Sequence, residues 1–476
     1  MNKSNKVFYL IIGSLINSLF LLFFTLISYF FFDKVEFSFL TGLFVFENIL
    51  IFFDLSINNH IIKYLSSKKN IIKKKIINFF LKKILIFFAI FFLFNIFILK
   101  EIFWDRVINL DNKSTLFIVI LVSLILIIRI SINFFRAILI GNSDQIVTAK
   151  IQIISSSLKF LILGFFLFIH KSIEALLIIY LLCFFIEFLF YLRSVYRKYI
   201  INFNVFKRYT IDRNFTSSFL KFFLLSVSII IFYNIDRIFL SYSNDKTSLG
   251  EYNFFRTISL GFFILSSAYY FSLLPEISRN IKSSFFIKQK IIKNFKSLNL
   301  ILIFCIIASV LFLEKFFYDL KIHLFLNIEN FLIFKIIILA TYFNMLGQIF
   351  LSFQIANIYL KIPTIINSII IILFLFFMKP LFSLYNFEGI AYMYLLMNFF
   401  SLILNIIFLP YLNRKIFGNN FSYIIFKIIL FDFIISFLTL IILDTTIYSF
   451  SKLIFYFVLT FVLFYVFFLS QKFLKS

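Results

Sequence analysis

Apolar runs of about twenty residues, the length that crosses a hydrocarbon core about 30 Å thick, recur along this chain from Val7 to Ser470. Inside lipid a backbone N–H or C=O must find its partner within its own segment, so such runs fold as helices. Laying that length along the sequence gives fourteen spans, at about 7–32, 37–58, 84–104, 116–140, 151–169, 175–192, 219–242, 251–273, 298–313, 330–352, 363–378, 389–409, 423–443 and 452–470. Composition agrees: with 62% hydrophobic residues and 81 Phe in 476 positions, the chain cannot hide its apolar surface in one water-soluble core. The fold class is therefore all-α integral membrane. The short basic stretch Met1–Lys6 leads into Val7–Phe32, a run too long for a signal-peptide core and without a small-residue cleavage site, so it reads as a retained first span.

Charge orients the spans. The basic runs "KKNIIKKK" (Lys68–Lys75), "RSVYRKY" with "KRY" (Arg193–Tyr209) and "KQKIIKNFK" (Lys288–Lys296), read as loops, all follow even-numbered spans. Glu101, Asp105, Asp111, Glu314 and Asp319 gather on the opposite side. Lys and Arg accumulate in cytoplasmic loops, so both termini are expected in the cytoplasm. The net charge of +25 follows from loops that orient spans and touch anionic membrane lipids, and needs no nucleic-acid partner. No loop exceeds about 30 residues, which leaves no room for a soluble catalytic domain, and the chain is not expected to be an enzyme. Cys183 and Cys305 lie far apart in apolar runs, and His60, His170 and His323 stand without a ligand cluster around them, so neither a disulfide, a metal site nor a cofactor is implied.

Two halves of the chain repeat. "FLTGLFVFENILIFFDLSINNHIIKYLS" (Phe39–Ser66) and "SLGEYNFFRTISLGFFILSSAYYFSLLPEISR" (Ser248–Arg279) each open with a Gly and an aromatic two positions on, Gly42 with Phe44 and Gly250 with Tyr252, and run through one span into a basic loop. The offset of about 210 residues also separates the first and seventh spans. A displacement of six spans keeps both copies the same way up, which makes a parallel repeat with its axis along the membrane normal. The expected organisation is two pseudo-symmetric six-helix bundles, 1–200 and 201–415, followed by two additional transmembrane helices within 416–476.

Charges inside the spans are the candidate functional groups. Arg129, Asn133 and Arg136 are spaced i, i+4, i+7 and so share one face of the fourth span. An arginine at the bilayer centre costs about 2.5 to 3.5 kcal/mol on insertion scales, so it belongs toward a bundle interior or a wet cavity. Lys159, Arg256 and Lys335 place further cations at depth. Each has two readings: lining a cationic cavity that binds an anionic headgroup through bidentate bonds, or pairing with an intramembrane acid such as Glu47, Asp54 or Asp236. Glu47, mid-span, leads the candidates for a protonatable coupling residue, with Asp54 and Asp236 behind it, for coupling to a proton or sodium gradient; a salt bridge to an arginine is the other reading. Asp236 beside Arg237 also reads as a structural pair. Asn17, Asn48, Asn95, Asn344 and Gln348 either line the cavity or bond helices together, packing being the simpler assignment.

The segment "YNIDRIFLSYSNDKTSLGEYNFFRTISLGFFILSSAYYFSLLPEISR" (Tyr233–Arg279) resembles the signature of polysaccharide-biosynthesis membrane proteins, the Wzx-like oligosaccharide flippases of the MATE/MOP exporter superfamily. The matching positions are Asn234, Asp236, Arg237, Gly250, Tyr252, Pro275 and Ser278, with echoes from about residue 7 to 410; Ser56 in "DLSIN" departs from the family's usual glycine. The resemblance implies a bacterial inner-membrane flippase that carries an undecaprenyl-diphosphate-linked oligosaccharide, such as an O-antigen repeat unit of lipopolysaccharide, by alternating access. It also implies a polysaccharide polymerase as a partner. A lipid II flippase and a multidrug exporter are the rivals within transport. The stripe of arginines disfavours the exporter, whose cationic cargo calls for buried acids. A polytopic glycan polymerase or glycosyltransferase needs a larger outer loop than Glu101–Thr115 or Glu314–Glu329, and a scaffold leaves the arginines unexplained.

Overall fold

A computed structural model describes residues 9, 12, 13, 16, 58–63, 65–66, 112–167, 172–199, 213–241, 246–280, 283–319, 328–357, 359–412 and 421–429, and among them every regular element is helical. Eight long helices follow one another: α1 (Asn112–Gly141), α2 (Gln145–Leu167), α3 (Ile173–Tyr199), α4 (Arg213–Ser241), α5 (Lys246–Arg279), α6 (Ser284–Asp319), α7 (Ile328–Ala356) and α8 (Lys361–Leu412). They correspond to the expected spans four to twelve. The remaining spans lie wholly or largely outside the described residues, so the count of fourteen does too. Five described stretches are long and apolar enough to cross a membrane, Phe117–Gly141, Ile173–Lys198, Phe331–Ala356, Lys361–Tyr385 and Glu388–Phe408. Counted as one span, Glu251–Phe263 and Leu265–Arg279, inclined at 43°, make a sixth.

Two basic runs read as loops are helical. "KQKIIKNFK" forms early turns of α6, because Ile287, Ile291, Phe295, Leu298 and Leu302 recur every three or four residues and are all fully buried, which leaves the lysines to other faces. "RSVYRKY" ends α3, where Arg197 and Lys198 stand against the negative end of the helix dipole.

The two apolar stretches of α8 are joined by a reversal. A β-carbon on Gly389 would collide with the carbonyl oxygen of Leu381, eight residues earlier. An unbroken helix would hold these residues about 12 Å apart, so the chain doubles back here and only glycine permits the approach.

The chain divides into two compact units, Met1–Ile281 with Leu351–Phe377 and Lys282–Phe350 with Met378–Ser476. In the first, α1 packs along α3, α2 along α3, α4 along α5, and α1 also meets α5. Small residues set the spacing. Gly141 lies against Ile62 and Leu65, where an added β-carbon would fall 2.9 Å from the Leu65 Cβ, and Gly13 lies 3.0 Å by the same measure from the Ala149 carbonyl oxygen. Lys63, buried, donates to the carbonyl of Ile355 at 3.4 Å and so caps the last turn of α7. In the second unit, Tyr342 donates to Asn299 at 2.6 Å and Phe295 packs on Phe350 with ring centroids 5.5 Å apart, which ties α6 to α7.

Candidate functional site: an arginine stripe among buried ion pairs

The i, i+4, i+7 spacing does place Arg129, Asn133 and Arg136 on a shared, half-buried face of α1. Arg129 sits 4.8 Å from the centre of the Phe184 ring of α3, and Arg136 sits 5.0 Å from the Phe271 ring of α5. Cation–π contact of this kind is worth about 0.5 to 2 kcal/mol and holds a guanidinium without neutralising it. Among the described residues Arg136 has no ion pair, and its buried Nε has no hydrogen-bond partner.

Lys159 is differently placed. It is 2% exposed and forms a buried ion pair with Glu187 of α3, while its ammonium lies 4.0 Å from the centre of the Phe184 ring that Arg129 also covers. A buried ammonium needs such a counter-ion, because removing water from one charge alone costs several kcal/mol. Sequence reasoning misses Glu187, although the spacing within α3 puts it one turn from Phe184.

Arg256 belongs to a buried hub with the motif residues. Asp236, on α4, is fully buried and accepts a hydrogen bond from the Tyr252 hydroxyl at 2.7 Å and from the backbone N–H of Arg237 at 2.9 Å. Arg256 brings its Nε within 3.3 Å of the same carboxylate and donates through a terminal nitrogen to the Tyr233 carbonyl at 3.0 Å. Tyr252 and Arg256 are i, i+4 on α5, so a single helix face grips one carboxylate across the α4–α5 seam. The cross-helix partner of Asp236 is thus Arg256, whereas its neighbour Arg237 contributes a backbone donor. Asn234 bonds back to the Ile230 carbonyl at 3.0 Å, and Gly250 and Pro275 both fall within α5.

In the second unit Lys335 is exposed on α7, 4.6 Å from the centre of the Phe331 ring one turn earlier. Asn344 donates to Asn398 of α8 at 2.6 Å and so bonds α7 to α8, while Gln348 donates to Asn344 at 3.5 Å one turn back on α7 itself. Glu47 and Asp54, the coupling candidates on the second span, lie outside the described residues, as do Asn17, Asn48 and Asn95. Cys183 and Cys305 are free thiols. His60 is buried edge-on to Phe222 with ring centroids 5.0 Å apart, and no group of three metal-ligating side chains occurs among the described residues.

Serial membrane-length helices tied by buried ion pairs define a multi-pass membrane protein, and solved structures give the fold its class. The multidrug transporter DinF-BH of the MATE type, solved as a complex, superposes with a TM-score of 0.67 at 13% identity over 88% of this chain and 96% of its own. The lipid II flippase MurJ, in an inward closed conformation, gives 0.62 at 17% identity over 98% and 99%. A point mutant of the Vibrio cholerae MATE transporter VcmN gives 0.62 at 12% identity over 88% and 98%. The fold is that of MATE/MOP-superfamily transporters, and these neighbours are transporters and a flippase rather than enzymes. Residues 4–281 match the family described as polysaccharide biosynthesis protein, and the chain belongs to that family. The match ends before residue 410, where the sequence echoes end. No curated protein matches the chain.

Proposed function

We propose that this protein is a flippase that moves a lipid-linked oligosaccharide, built on an undecaprenyl-diphosphate carrier, between leaflets of the bacterial inner membrane. Arg136 is the residue that carries the reading. It is half-buried on a membrane-length helix and has no ion pair among the described residues, while Lys159 and Arg256 each have a carboxylate partner. A guanidinium kept at depth without a counter-ion is suited to a ligand that brings its own negative charge, and its planar fork fits phosphate oxygens. Arg129 and Asn133, on the same face, extend the site toward a second phosphate. Lys159 and Arg256 act through structure in this reading, by holding α2 to α3 and α4 to α5. The bundles 1–200 and 201–415 rock about the site in alternating access, with the sugar in the wet cleft and the lipid tail outside. An O-antigen unit is the cargo most in keeping with the family, and a polysaccharide polymerase its natural downstream partner.

Likeness to a lipid II flippase over 98% of the chain favours one second reading, a peptidoglycan-precursor carrier, which shares the diphosphate. Binding to purified protein separates them. Undecaprenyl-diphosphate-oligosaccharide should bind more tightly than lipid II, and Arg136→Ala should weaken it about tenfold or more through the lost charge-assisted bonds. Equal binding by Arg136→Ala and wild type would remove the arginine from the site, and preference for lipid II would favour the second reading.

A further inference from the structure

Pro275 lies within α5 and has no N–H, so the carbonyl four residues before it, that of Phe271, lacks its helical donor. Gln145, the first residue of α2, supplies one: its Nε2 donates to the Phe271 oxygen at 3.2 Å. The side chain of Phe271 in turn covers Arg136, ring to guanidinium, at 5.0 Å. Contacts on either side dock the rest of the helix end. Tyr270 donates its hydroxyl to Asn59 at 2.7 Å, and Arg279, one turn beyond the proline, donates to the Ser143 hydroxyl in the turn between α1 and α2. Ser143 has φ 70°, a left-handed conformation disfavoured for a residue with a β-carbon, and the turn that needs it is the one Arg279 grips. All of these groups belong to the first compact unit.

We infer that residues 270–279 form a latch whose docking controls access to Arg136. Pro275 creates the socket by orphaning a carbonyl, Gln145 fills it, Arg279 on Ser143 and Tyr270 on Asn59 pin the flanks, and Phe271 shields the arginine. When the helix end leaves the α1–α2 turn, the Phe271 ring leaves with it and the guanidinium opens toward the membrane face where these helix ends lie. The anion-binding role of Arg136 gives the latch its purpose, but the latch is testable without cargo.

The test reads thiol accessibility. In a Cys183→Ser, Cys305→Ser background, Asn133→Cys reports on the face it shares with Arg136, and a membrane-impermeant maleimide is applied to vesicles from the side of the basic loops. Pro275→Ala, Gln145→Ala and Arg279→Ala should each raise the labelling rate about tenfold, the population shift expected from losing one hydrogen bond of the docked state. Lys198→Ala should leave it unchanged, since its 2.9 Å pair with Asp144 ties the same turn to α3 and not to α5. Arg279 is exposed, so its variant reports even if the proline variant fails to fold. Wild-type rates in all three variants, or an equal rise in Lys198→Ala, would overturn the latch. Faster labelling with unaltered cargo binding in Arg136→Ala would leave the latch standing and count against the flippase site.

Discussion

Lys159, 2% exposed inside a helical bundle, has its ammonium against a carboxylate, that of Glu187. Removing one partner of a buried pair strands the other, at a cost of about 3 to 5 kcal/mol, whereas replacing both with apolar residues of similar volume is close to neutral. Glu187→Gln should therefore lower the thermal stability of the purified protein sharply. The double variant Lys159→Met, Glu187→Leu should recover most of it in the same unfolding assay. Were Lys159 a cargo ligand instead, the double variant would be stable yet lose binding. Arg136 of α1 differs from this pair in what touches it: the Phe271 ring, 5.0 Å away, orients its charge and leaves it in place on the helix face it shares with Arg129. The i, i+4, i+7 spacing makes that face legible in the sequence. The partner of Lys159 is not legible, because a contact 28 positions away depends on how α2 lies on α3. For the same reason the sequence shows Arg256 as a cation at depth but cannot show that the Asp236 carboxylate and the Tyr233 carbonyl hold it.

Among the elements, α8 shows how one glycine decides a fold. The apolar stretches Lys361–Tyr385 and Glu388–Phe408 are separate spans only if the chain reverses between them, and Gly389 makes room for the Leu381 carbonyl at that reversal. Gly389→Ala adds one methyl group against backbone that cannot swing aside, so the cost should be in the overpacking range of about 1 to 3 kcal/mol. A thermal unfolding scan checks it, and a stability equal to wild type would mean that the reversal opens to admit the methyl. Length and hydropathy alone divide these two spans in the sequence, while the start of α6 reads as a loop because its lysines mask the burial of Ile287, Ile291 and Phe295. Hydropathy averaging discards the periodicity that keeps such a segment helical.

For the whole molecule, apolar runs and loop charge define the class of protein, because the bilayer admits so few backbone solutions. Family membership rests on residues 4–281, and the likeness to transporters extends over most of the chain at 12–17% identity, which defines a fold and leaves cargo to the chemistry of the site. In the proposed reading that chemistry turns on Arg136. The most direct measurement is the rate at which undecaprenyl-diphosphate-linked oligosaccharide crosses between leaflets of vesicles holding equal amounts of wild-type or Arg136→Ala protein. The account predicts translocation by the wild type and a rate lower by about tenfold or more in the variant, matching the loss of a charge-assisted contact. Equal rates for the two proteins, with the variant inserted and folded, would contradict it.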